Sequence, residues 1–119
     1  MKVGVIDYGM GNLFSVISAL EMLGADVTIC QDPDSLKEVD RIILPGVGAF
    51  KDCINAIKRR GFEDALIREV IEVGKPIYGI CLGMQIMGGR SFEFGKHEGL
   101  GWIEGDVIRL KPDDHNYNI

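Results

Sequence analysis

Three short, largely apolar runs in this chain each end in a glycine-bearing turn. Val3-Gly4-Val5-Ile6 leads to Tyr8-Gly9-Met10-Gly11, Arg41-Ile42-Ile43-Leu44 leads to Pro45-Gly46-Val47-Gly48, and Pro76-Ile77-Tyr78-Gly79-Ile80 leads to Cys81-Leu82-Gly83. Runs of this length without polar alternation suit strands covered on both faces. Between them the spacing turns helical. Leu13, Val16, Ile17, Leu20 and Leu23 follow the first turn, with Asn12 as N-cap and Gly24 as stop. Phe50, Cys53, Ile54 and Ile57 mark a second helix face, and Phe62, Ala65, Leu66, Val70 and Val73 a third, ended by Gly74. Val27-Thr28-Ile29-Cys30 supplies one more strand. Strands alternating with helices predict an α/β fold, a parallel sheet with helices on both faces. Ligands of such sheets bind beyond the carboxyl ends of the strands, where the three glycine turns lie.

Beyond residue 90 the pattern changes. Gly95, Gly99, Gly101 and Gly105 punctuate short pieces, and Asp106-Val107-Ile108-Arg109-Leu110 alternates as a solvent-facing strand does, which predicts a small antiparallel element. The 119 residues, 46% of them hydrophobic, suit one compact domain spanning 1–119. A formal charge of -5 disfavours binding to a phosphate backbone. Three cysteines, Cys30, Cys53 and Cys81, with no CxxC pair, argue against a disulfide framework or a zinc site and for a reducing cytoplasm. No apolar stretch approaches the length of a membrane span.

Cys30 sits in a strand and Cys53 on an apolar helix face, the ordinary settings of a structural thiol. Cys81 differs. The order Gly79-Ile80-Cys81-Leu82-Gly83, after a buried strand and before a helix, is the thiol form of a nucleophile elbow. The small residues allow a sharp turn that leaves the side chain accessible, and the nucleophile of such a turn takes a strained, positive φ. A helix N-terminus favours an anion at the sulfur, and a free Leu82 N–H there can donate to an oxyanion.

Four stretches carry a resemblance: Val5 to Asn12, Leu44 to Phe50, Gly79 to Gln85, and Gly99-Leu100-Gly101. In this order the chain resembles the amino-terminal part of the class I, triad-type glutamine amidotransferases, with a flavodoxin-like fold. Within them it is similar to the branch that serves imidazole glycerol phosphate synthase. The resemblance implies hydrolysis of glutamine to glutamate and ammonia, and transfer of that ammonia to a synthase (cyclase) partner, a (β/α)₈ barrel, in histidine biosynthesis. It implies no cofactor. By position, Cys81 matches the nucleophile, and Val47 and Leu82 match the backbone donors of the oxyanion hole. Gly46, Gly48, Gln85 and Glu93 match positions that hold the substrate. The turn formed by Tyr8, Gly9, Met10, Gly11 and Asn12 matches the partner-facing surface.

The resemblance also requires a histidine and a glutamate from a His-x-Glu-type motif, which these residues lack; His97 and His115 read as solvated side chains. A proton donor to the leaving ammonia is worth about 10²–10⁴-fold in rate. The expectation is therefore an incomplete domain, truncated before its C-terminal part and inactive by itself. Phe92 to Trp102 resembles a paralogous branch that feeds amination of surface-polysaccharide sugars, which stands as an alternative role. A nucleotide-binding reading of Gly9-Met10-Gly11 is weak, because Phe14 replaces the third glycine and Cys30-Gln31 stand where an acidic residue belongs. A non-catalytic binding module, with Cys81 as a redox sensor, is the remaining alternative.

Overall fold

The computed structural model describes residues 1–92 and 94–110. Four parallel strands, β1 (Lys2–Ile6), β2 (Asp26–Cys30), β3 (Arg41–Leu44) and β4 (Ile77–Gly79), form a sheet in the order β2-β1-β3-β4. Val3 pairs with Val27 on one side and Arg41 on the other, and Ile42 pairs with Ile77. From Val3 to Ile6 the central strand β1 is buried throughout, as an apolar run without alternation requires.

Side chains alternate across β3. Ile42 and Leu44 point into the main core with α2 (Phe50–Arg59) and α3 (Phe62–Leu66), whose Phe50, Cys53, Ile54, Ile57, Phe62, Ala65 and Leu66 are buried. Ile43 points to the other side, where with Tyr78, Ile80 and the α1 (Leu13–Met22) residues Val16 and Leu20 it lines an open groove. α1 buries none of its residues fully, and Phe14, Met22 and Leu23 are more than four-fifths exposed. Asn12 occupies the N-cap position, but its side chain makes no capping bond.

The helix expected from Phe62 to Val73 changes character halfway. After Leu66 it widens into a π-helix, Ile67–Glu72, closed by the Val73 N–H donating to the Arg68 carbonyl. A wider turn rotates later residues off the apolar stripe. Val73 is therefore exposed, and Glu69 turns inward instead. Its carboxylate accepts from Lys75 Nζ and from Arg68 Nε, each at 2.7 Å. Lys75 also donates to the carbonyls of Leu36 (2.7 Å) and Lys37 (3.2 Å), so one ammonium ties the π-helix to the 3₁₀ turn Pro33–Glu38. Both cations hold the Glu69 carboxyl below the usual carboxylate range, Lys75 first.

After the short α4 (Leu82–Gln85) a second sheet forms from β5 (Arg90–Ser91), β6 (His97–Glu98) and β7 (Asp106–Val107), in the order β6-β5-β7. The expected antiparallel pairing holds for β5 and β6 only; β5 and β7 are parallel. The strand expected over 106–110 stops at Val107, with Ile108, Arg109 and Leu110 exposed. The Arg90 guanidinium fixes the β5–β7 register by gripping both Asp106 carboxylate oxygens, at 3.2 and 3.0 Å. Among the described residues no helix is long and apolar enough to cross a membrane.

Candidate active site

Because the sheet is parallel, the turns leaving β1, β3 and β4 share one edge, and there they touch. A methyl group placed on Gly11 would stand 3.2 Å from Pro45 Cβ, one on Gly48 3.3 Å from Met10 Cε, and one on Gly46 2.7 Å from the Gly83 nitrogen. The three glycine turns thus close on one another.

On this edge, beyond β4, Cys81 caps α4 with φ 53° and ψ -117°, a conformation costing a non-glycine residue on the order of 1–3 kcal/mol. The surroundings hold it there. Leu44 of β3 accepts the Ile80 N–H at 3.0 Å, and the Cys81 carbonyl accepts from Met84 (3.0 Å) and Gln85 (3.1 Å). The flanking glycines are required by space: a methyl group on Gly79 would lie 2.6 Å from Met84 Cα, and one on Gly83 only 1.9 Å from the Leu44 oxygen. Of the three thiols, Cys81 is exposed and Cys30 and Cys53 are buried.

Two expectations about the elbow need correction. The Leu82 N–H is not free: it donates to the Gly46 carbonyl at 3.3 Å. α4 is a single turn of four residues, so the dipole offered to the sulfur is that of a few peptides rather than of a full helix. The first correction reaches Val47. Among the described residues no peptide bond is cis, so the N–H of Val47 points away from the elbow when the carbonyl of Gly46 points towards it. Val47 is half-exposed and Gly48 follows with φ 96°.

The remaining positions divide. Gln85 lies one turn beyond Cys81 at the end of α4, half-buried. Gly9 and Asn12 are exposed and Met10 and Gly11 partly so, flanked by a cleft that Arg59 and Arg60 of the α2 end also line. Tyr8 departs from the partner-facing group: its ring is 1% exposed, folded under the turn, because its hydroxyl finds partners inside. Glu93 and His115 lie outside the described residues. His97 is in β6, its Nε2 3.1 Å from the Phe94 carbonyl. Among the described residues no group of three or more His, Cys, Asp or Glu side chains could hold a metal ion.

Sequence reasoning missed two features. The first is Cys53, correctly placed in the core but also in contact with Tyr8; burial pushes its thiol and the Tyr8 phenol up, so both stay protonated. The second is Asp7, which ends β1 and ties down the first turn, accepting from Gly9 N–H (3.3 Å) and Gln31 Nε2 (3.0 Å).

Residues 4–118 match the family described as glutamine amidotransferase class-I. The chain belongs to that family. Relatives of this chain include the imidazole glycerol phosphate synthase subunit HisH of Bacillus licheniformis, 47% identical over 98% of the chain and 54% of the relative. The subunit of the same name from Wolinella succinogenes is 48% identical over 89% of the chain and 51% of the relative. The chain spans about half the length of the curated relatives it matches. A solved glutamine amidotransferase superposes with a TM-score of 0.74 at 25% identity, covering 90% of this chain and 56% of that protein.

Proposed function

We propose that this chain is the nucleophile-bearing part of a cytoplasmic glutaminase that hydrolyses glutamine to glutamate and ammonia. The ammonia passes to a synthase subunit, a (β/α)₈ barrel, that forms imidazole glycerol phosphate in histidine biosynthesis. The observation that carries the reading is the exposed thiol of Cys81 at positive φ between two glycines that close packing requires. The relatives named above favour histidine biosynthesis over sugar amination.

In this reading the Cys81 thiolate attacks the side-chain carboxamide of glutamine, giving a tetrahedral oxyanion. The Leu82 N–H faces that oxygen once the Gly46 carbonyl leaves it. Rotation of the Gly46–Val47 peptide removes the carbonyl and brings the Val47 N–H round as the second donor. Gly46, Gly48, Gln85 and Glu93 hold the substrate. Collapse expels ammonia, its nitrogen protonated by the conjugate acid of a base from outside these 119 residues that first took the Cys81 thiol proton, and leaves a Cys81 thioester that water hydrolyses to glutamate.

The test uses the full-length protein with its synthase partner. Cys81→Ala abolishes release of glutamate from glutamine and leaves synthesis from ammonium salts intact. Glutamate release by the alanine variant would sink the reading.

A further inference from the structure

The Tyr8 hydroxyl is buried 2.5 Å from the Pro45 carbonyl and 2.8 Å from Cys53 Sγ. A phenol has one proton and a carbonyl can only accept, so Tyr8 donates to Pro45. The Cys53 thiol then donates to the Tyr8 oxygen. This chain of two bonds runs from the floor of α2 to the peptide that precedes the rotating one.

Neighbouring peptides are held very differently. The Pro45–Gly46 peptide is clamped through its carbonyl inside the core, whereas the Gly46–Val47 peptide has its carbonyl on the long 3.3 Å bond to Leu82. Gly46 itself is boxed in: a methyl group there would stand 2.8 Å from the Tyr8 hydroxyl and 2.7 Å from the Gly83 nitrogen. With the preceding peptide held, a turn of the Gly46–Val47 peptide is confined to Gly46 ψ and Val47 φ.

We propose that Tyr8, backed by Cys53, is a positioning residue for the oxyanion hole: it anchors the Pro45 carbonyl so that the Gly46–Val47 peptide alone turns and delivers the Val47 N–H to one place. The proposal rests on the glutaminase reading above. Tyr8 touches neither substrate nor the Cys81 sulfur in this role. It sets where a donor arrives, which matters in the transition state and little in substrate binding.

The experiment compares Tyr8→Phe with the parent in the full-length protein and its synthase partner. Expected is a fall of roughly tenfold or more in kcat for glutamine with KM changed by less than about twofold. Two labels of Cys81 separate positioning from damage. Iodoacetamide, whose displacement forms no oxyanion, alkylates the variant at the parent rate, while capture by a ketone analogue of glutamine slows in step with kcat. Cys53→Ser, which keeps a donor to Tyr8, holds kcat near the parent value, and Cys53→Ala lowers it with the same split between labels. A parent-like kcat in Tyr8→Phe overturns the proposal, as does equal slowing of both labels. If Tyr8→Phe does not fold, Cys53→Ala decides, and a parent-like kcat there overturns it. Glutamate release by Cys81→Ala would instead defeat the underlying reading, and the two failures are distinct.

Discussion

The Gly46 carbonyl accepts the Leu82 N–H at 3.3 Å, on the very donor that an oxyanion at Cys81 would need. The bond is longer than the usual 2.9–3.0 Å of an N–H···O contact, so it is readily exchanged. In the proposed glutaminase, a resting state of this kind would keep the nucleophile built and its electrostatic support withdrawn.

Strain at Cys81 gives the first prediction. A residue at φ 53° and ψ -117° is strained unless it is glycine. Cys81→Gly is expected to be inactive towards glutamine yet more stable than the parent, with Tm raised by a few degrees. Thermal unfolding of the full-length pair checks it; an unchanged or lower Tm would show that the elbow stores no strain.

The glycines around the elbow should separate fold from site. Gly83→Ala places a methyl group 1.9 Å from a backbone oxygen, which no rotamer relieves, so soluble folded protein should be lost. Gly48→Ala meets only the flexible end of Met10 but must adopt φ 96°. It should fold, cost about 1 kcal/mol, and lose glutaminase activity far more than stability. Parallel Tm and kcat measurements on the two variants distinguish these outcomes.

The inward Glu69 carboxylate predicts an acid-sensitive contribution. Its folded pKa is depressed, so its stabilisation is present above the unfolded value of about 4.3 and is lost as pH falls through the folded value. Glu69→Gln should be less stable than the parent at pH 7, and the difference should shrink below about pH 4. Chemical denaturation at the two pH values measures it. A gap that stays constant with pH would mean that the charge of Glu69 is not what holds the π-helix.

Asn12, exposed on the first turn, should matter only with a partner present. Asn12→Trp is expected to leave folding unchanged and to weaken partner stimulation of glutamine hydrolysis by roughly tenfold, the cost of about 1.4 kcal/mol at a docking face. Unchanged stimulation would move the docking face elsewhere.

Much of this architecture is legible in local pattern. β3 falls on Arg41–Leu44 as read, because four residues stopped by Pro45-Gly46 leave the strand nowhere to extend. The elbow at Cys81 was legible for a similar reason: glycine spacing encodes a backbone demand. What escaped were relations between distant segments. The π-helix depends on Lys75 reaching back to Glu69 and across to Leu36, and no propensity within 62–73 signals it. The inward turn of Tyr8 depends on a carbonyl partner from the turn after β3 and a thiol partner from α2, whereas its motif placed it with surface neighbours. The Leu82–Gly46 bond likewise joins two loops whose separate sequences each suggested open donors.

Leu44 ties all of this to the order of the sheet. Its carbonyl both accepts the Ile80 N–H and lies against Gly83, so the register of β3 on β4 sets where the elbow can sit. A slip of one residue would turn every side chain of the strand over and carry the seat of the nucleophile away with it. Thiol reactivity at Cys81 is therefore a gauge of strand alignment, and it should register faults in β3 that never approach the proposed glutamine site.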